Sequence, residues 1–290
     1  MDNLFEIRKL KCSYDKPFVP GRSKIVLNIN KLDLPRGKKV FIVGESGIGK
    51  STVLEVLGMM NNTLVKESGS KFVFCGNDKK EVDLLKLWDM GDKALSRFRL
   101  DNFNFIFQST NLMRNFTAFE NIAFTRMLQG YSMEESFQKT EEILHELGLP
   151  HIQRTRMAQE LSGGQQQRLA FARAILPDFS VLFGDEPTGN LDADNAERAM
   201  RLLSTKLNSM PGSSAIIVSH DMKLSVSFAD IIVKIRKEWK DAEGEHDDAS
   251  SFGVIDDTCV YYPDESRTKW SNGNNEMSSS DFEKYLKKNT

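Results

Sequence analysis

Short alternating bursts of apolar and polar residues open the chain. LFEIRKLKCSY and KIVLNINKLDL are punctuated by Pro17, Pro20, Gly21 and the Pro35–Gly37 turn, a strand-and-turn pattern. KKVFIVG (Lys38–Gly44) is then a compact apolar run ending in glycine, as a buried strand would, and STVLEVLGMM after it suits a helix. A polar stretch from Asn61 to Met90 holds one further strand candidate, KFVFCG (Lys71–Gly76). From about Ala94 to Gln159 the pattern is mainly helical. MEESFQKTEEILHELGL places Phe137, Ile143, Leu144 and Leu147 near helical spacing, with Gly148 and Pro150 as a stop. A helix from Gln165 to about Leu176, a strand at Val181–Pro187, a helix over Ala193–Leu207 and strands at Ser214–His220 and Asp230–Ile235 complete the pattern.

Strands alternating with helices on either side of a helical stretch predict an α/β core carrying a helical insertion. The boundaries fall at residues 1–237 for this domain, with the helical part at about 94–176, and at 238–290 for a polar C-terminal extension. The extension contains KEWKDAEGEHDDASS and WSNGNNEMSSSDFEKYLKKNT, both poor in core formers, so a mostly flexible tail is expected. Between them, FGVIDDTCVYYPDES could form a strand or hairpin.

Composition narrows the function classes. A formal net charge of −2 over 290 residues gives no overall field for a nucleic-acid partner. Cys12, Cys75 and Cys259 are scattered and odd in number, which fits unpaired cytosolic thiols better than disulfides or a zinc site. MDNLFEIRKL lacks the apolar core of a signal peptide, and no window reaches the roughly 18 apolar residues of a membrane span. A cytoplasmic protein is expected, reaching a membrane only through a partner.

The chemistry begins at GESGIGKST (Gly44–Thr52), which fits G-x-x-x-x-G-K-[ST] between an expected strand and an expected helix. Its glycines let amides around Gly47–Lys50 turn toward phosphate oxygens, and the helix start adds partial positive charge. Lys50 would neutralise the β- and γ-phosphates and Ser51 would ligate Mg²⁺. VLFGDEP delivers Asp185 at the carboxyl end of a strand, where open α/β sheets bind ligands. Asp185 would hold the metal's shell, and Glu186 beside it could take a proton from an attacking water. AIIVSH ends in His220 and FIFQ in Gln108, positions that carry little meaning alone. ELSGGQQQRLAF (Glu160–Phe171) looks like a second phosphate-style helix opening, which one nucleotide site would not need.

In order, GESGIGKST, FIFQ, LSGGQQQR, GDEPTGNLD and VSH resemble the ATP-binding subunit of an ABC ATPase, a P-loop NTPase fold with an antiparallel β subdomain and a helical insertion. The family's pattern covers about residues 3–236. LSRFRLDNFNFIFQSTNLMRNFTAFENIAF, LSGGQQQRLAFARA and DEPTGNLD are closest in wording to its lipoprotein-release, macrolide-export and cell-division group. The resemblance implies ATP and Mg²⁺ as ligands, with the loop Gly44, Glu45, Ser46, Gly47, Ile48, Gly49, Lys50, Ser51 and Thr52 around the phosphates. It implies Tyr14 stacking on adenine and Gln108 sensing the metal and the attacking water. His220 would position that water and Asp192 would lie at a subunit boundary. Ser162, Gly163, Gly164 and Gln165 would then meet the γ-phosphate held by a second, head-to-tail copy. A transmembrane permease subunit is the other partner implied. Ile48 and Gly184 depart from the group's usual small residue and alanine. A soluble ATPase acting on DNA or in cluster assembly is the competing class, and a signalling switch would share the same ATP site.

Overall fold

The computed structural model describes residues 3–20, 23–152, 154–239 and 251–288. Two sheets organise it. The larger runs, in spatial order, Glu276–Ser278, Lys269–Ser271, Val260–Pro263, Ile231–Lys234, Lys39–Val43, Ser214–Val218, Val181–Asp185 and Phe103–Ile106. From Ile231–Lys234 to Phe103–Ile106 every neighbour pair is parallel. The carboxyl ends of these strands therefore share one edge. The second sheet orders Arg236–Trp239, Ser251–Ile255, Leu27–Pro35, Asn3–Cys12, Lys71–Cys75 and Glu81–Asp83, with Leu64–Val65 paired to Asn3–Cys12. It is antiparallel except where Ser251–Ile255 joins Leu27–Pro35 in parallel.

Side-chain alternation along the central strands divides the core in two. Val40, Ile42, Phe183 and Val218 face the second sheet, among Phe5, Phe72 and Phe74. Edge-to-face aromatics fill this layer, with Phe74 and Phe103 centroids 5.2 Å apart at 88°. Phe41, Val43, Leu182 and Ile217 face the opposite way, onto helices Ala118–Leu128, Gly163–Ile175 and Ala193–Ser209. Helices Ala118–Leu128 and Met133–Glu146 each start with a capping box, from Thr117 with Glu120 and from Ser132 with Glu135.

Two expectations change. The stretch expected to be mainly helical contains a strand, Phe103–Ile106, paired in parallel with Val181–Asp185. Three apolar residues around Asn104 are too few to display a period of two, and the Phe103 and Phe105 rings belong to the sheet's packed face. The C-terminal extension is also not a flexible tail over its described part. Residues 251–288 add strands to both sheets and a helix, Ser279–Lys287. Trp270, Phe282 and Leu286 are fully buried, with the Trp270 and Phe282 rings stacked at 5.2 Å. Its apolar residues are sparse in sequence because each three- to five-residue strand needs just one or two to reach a core that already exists. The acidic stretch 240–250, expected to be flexible, lies outside the described residues.

Candidate functional site

Four adjacent parallel strands bring the expected chemistry together at their common carboxyl edge. Lys39–Val43 leads into Gly44–Thr52, Val181–Asp185 ends at Asp185 and Glu186, Ser214–Val218 leads to His220, and Phe103–Ile106 to Gln108. A cavity of about 410 Å³ at this edge is lined by Tyr14, Ser46, Gly47, Gly49, Lys50, Ser51, Thr52, Gln108, Asp185, Glu186 and His220, together with Val26 and Val218. The last two were not foreseen. They are apolar walls with no signature of their own in the sequence.

The loop's shape depends on two glycines. Gly47 and Gly49 have φ of 75° and 101°, a region costly for residues with a Cβ. Gly49 sits at the start of helix Lys50–Leu57, which has no side-chain cap. Its first-turn amides are thus free for an anion, with the helix dipole behind them. The Lys50 ammonium curls back to donate to the carbonyls of Gly44 and Glu45, both at 2.8 Å. Burial pushes its pKa down, while Glu186 and Asp185 hold it up. A phosphate here would meet a cation already stripped of much of its water.

Across the cavity, Glu186 occupies the left-handed region with φ of 50°, a conformation costing about 1–3 kcal/mol for such a residue. Its amide donates to Val218 O at 3.0 Å, and its carbonyl accepts from Gly189 N at 3.1 Å. Glu186 Oε1 lies 3.3 Å from His220 Nε2. A carboxylate and an imidazole therefore converge on one point facing the loop. Gly184 gives the turn room, since a Cβ there would stand 3.2 Å from the Pro187 ring.

At the outer end, Tyr14 is half exposed. Its hydroxyl shares a 3.0 Å hydrogen bond with Thr52 Oγ1 and donates to Glu55 Oε2 at 3.1 Å. Burial raises its pKa, Thr52 lowers it and Glu55 raises it further. These bonds anchor the ring to the loop's own helix, where it forms part of the cavity lining.

The donors suited to a metal are Ser51, Gln108 and Asp185: a hydroxyl, an amide carbonyl and a carboxylate, all lining this cavity. Among the described residues no cluster of three or more His, Cys, Asp or Glu is placed to hold an ion. Hard oxygen donors too few to enclose an ion fit Mg²⁺, which keeps waters and substrate phosphates in its shell.

Ser162, Gly163, Gly164 and Gln165 are not among the residues lining this cavity. They open helix Gly163–Ile175 on the surface, in a capping box: Ser162 N donates to Gln165 Oε1 at 2.9 Å and Gln165 N to Ser162 Oγ at 3.4 Å. A Cβ on Gly163 or Gly164 would meet no atom within 4 Å. Among the described residues nothing calls for glycine at either position. Asp192 is likewise at the surface, capping helix Ala193–Ser209 by accepting from Asn195 N at 2.9 Å and Asn195 Nδ2 at 2.7 Å. Those bonds hold its carboxyl below the usual range.

The helix opened by Ser162 nevertheless bonds to the segments that follow two of the cavity's residues. Buried Gln167 donates to Pro187 O at 3.1 Å, just past Glu186. Arg173 donates to the carbonyls of Asn111 and Thr110 at 2.8 and 2.9 Å, just past Gln108. Neither role was visible in the sequence, where both residues lie within LSGGQQQRLAFARA with no role of their own.

Residues 27–189 match the family model described as ABC transporter. The lipoprotein-releasing system ATP-binding protein LolD of Colwellia psychrerythraea is 34% identical over 215 residues, covering 74% of this chain and 78% of that protein. LolD of Idiomarina loihiensis is 37% identical over 224 residues, covering 77% and 91%. The macrolide export ATP-binding/permease protein MacB of Mannheimia succiniciproducens is 34% identical over 257 residues, 88% of this chain and 35% of that longer protein. Among solved structures, the dimeric ABC transporter cassette MJ0796 superposes with a TM-score of 0.65 at 29% identity, covering 79% of this chain and 93% of that one. The same cassette in a dimeric post-hydrolysis state bound to ADP and Pi gives a TM-score of 0.63 at 28% identity.

Proposed function

The chain belongs to the ABC transporter family as an ATP-hydrolysing cassette, and from that premise we propose that it drives a membrane complex as a head-to-tail pair. In each pair two ATP molecules lie between one copy's Gly44–Thr52 loop and the other copy's Ser162–Gln165 turn. The observation that carries this reading is the placement of that turn. It is a helix start with two unobstructed glycines, exposed and outside its own chain's cavity.

The chemistry follows from the residues around the cavity. Lys50 and the amides of Gly47–Lys50 hold the β- and γ-phosphates and neutralise charge spreading over the equatorial oxygens. Ser51, with Gln108 and Asp185 nearby, would hold a magnesium ion, which supplies further charge neutralisation at the phosphates when bound. Glu186 accepts a proton as water attacks the γ-phosphorus, and the bond to the bridging β–γ oxygen breaks to leave ADP and phosphate. His220 fixes the Glu186 carboxylate and the water against the γ-phosphate. Tyr14 stacks on the adenine. Asp192 and the Ser162 turn face the second copy.

Hydrolysis removes the γ-phosphate that both copies hold, so the pair can separate. Arg173 and Gln167 tie the Ser162 helix to the Gln108 and Glu186 segments, which gives the opening a mechanical route. The membrane partner is a permease subunit seated near Gln108 and the Asn111–Ile122 segment, on the cytoplasmic face of the cell membrane. Among the described residues no helix is long and apolar enough to cross a membrane, so attachment runs through that partner. Export, lipoprotein release and force transmission all use this ATP cycle. The test is co-expression with each candidate permease followed by sedimentation. The chain should pellet with membranes when its partner is present; remaining in the supernatant with every candidate would favour a soluble ATPase acting on DNA or in assembly.

A further inference from the structure

The family match ends at residue 189, yet a strand far beyond it lies directly under the phosphate loop. In Ser251–Ile255, Gly253 donates its amide to Val26 O at 2.9 Å. Val26 lines the nucleotide cavity, and the same carbonyl is 3.5 Å from where a Cβ on Gly49 would lie. Over Gly253 sits the carbonyl oxygen of Ile48, which a Cβ at position 253 would overlap. Ile235 Cγ2 at 2.9 Å and Leu27 Cδ1 at 3.2 Å would close the remaining space. Gly253 has no positive φ, so the glycine is required for room rather than for backbone conformation. On the adjoining strand, Lys237 reaches the loop itself and pairs with Glu45 at 2.9 Å.

The direction of one peptide gives this contact its meaning. Ile48 C=O and Gly49 N–H belong to a single planar trans peptide and point in opposite directions. A carbonyl turned down onto Gly253 therefore turns the Gly49 amide up, toward the cavity that Gly49 lines. Ile48 leaves little slack: it is buried, and its Cγ2 is 3.1 Å from where a Cβ on Gly44 would stand. We infer that strand Ser251–Ile255 is the floor of the nucleotide site and that Gly253 is a positioning residue, setting the tilt of the Ile48–Gly49 peptide and hence the aim of a phosphate-binding amide. The inference rests on Gly44–Thr52 being the phosphate loop.

The test compares ATP affinity and turnover of the full chain with those of Gly253→Ala and Lys50→Ala. In Gly253→Ala, Kd for Mg-ATP should rise about 10- to 100-fold, as for loss of one hydrogen bond to a charged group, with the loss in KM more than in kcat. Lys50→Ala should lose binding. If Lys50→Ala binds normally, the loop assignment is wrong. If Lys50→Ala loses binding while Gly253→Ala keeps the wild-type Kd, or loses kcat at an unchanged KM, the floor inference fails. Hydrogen exchange on the unmodified chain gives an answer independent of folding of the variants. ATP should slow exchange at the Gly253 amide and leave residues 269–288 unchanged. Protection confined to 44–52 would overturn the inference.

Discussion

Two glycine-bearing helix starts in this molecule look alike in sequence and opposite in structure. At Gly44–Thr52 the glycines are left-handed, the helix has no side-chain cap, and a buried lysine turns inward over the opening. At Ser162–Gln165 the helix caps itself through Ser162 and Gln165, and the glycines face open space. The first has the shape and charge of a cradle suited to an anion bound inside its own chain. Among the described residues nothing gives the second's two glycines a use within their own chain. In the proposed pair the first is a site complete in one chain and the second is half of a site, and what surrounds each glycine, not the motif, separates them.

Stopping the chemistry with both helix starts intact gives the largest expected effect. Glu186→Gln should lower kcat by about 10²- to 10⁴-fold, leave ATP affinity unchanged and accumulate an ATP-bound dimer. Normal steady-state turnover would remove Glu186 from the role of base. Next in size is Ser162→Arg, which adds bulk and charge at the exposed turn. Hydrolysis should fall by about 10²- to 10³-fold, the scale for losing preorganised stabilisation of a reacting group, with ATP binding by the single chain intact. Weakened binding in the isolated chain would mean that the turn serves its own cavity. Tyr14→Ala should have the smallest effect, raising Kd for ATP about fivefold through the loss of roughly 1 kcal/mol of stacking. That change belongs to the cradle side alone, so ATP-driven pairing at saturating nucleotide should persist.

Local chemistry was legible in the sequence and long-range support was not. Gly44–Thr52, Asp185 and Glu186 stand next to the strands that place them, so motif and context could be read together. His220 and Gln108 carried meaning through family resemblance, since one side chain after a strand says little by itself. The Phe103–Ile106 strand was hidden because its short aromatic run shows no period. The folded C-terminal segment was hidden for a related reason: Trp270 and Phe282 are separated by polar turns and complete a core built elsewhere. Contacts such as Lys237 with Glu45, or Arg173 with the carbonyls behind Gln108, join residues far apart in the chain. Nothing in the spacing of those residues reports them.

The proposed site is divided: one copy's loop and another copy's turn share each ATP. Its most direct test adds Ser162→Arg to the Glu186→Gln background and measures mass by light scattering with ATP, alongside ATP affinity. Glu186→Gln alone should double its mass from that of the 32.9 kDa chain, while the double variant should bind ATP equally well and stay single. A double variant that still pairs, or one whose isolated chain has lost ATP, would contradict the divided site.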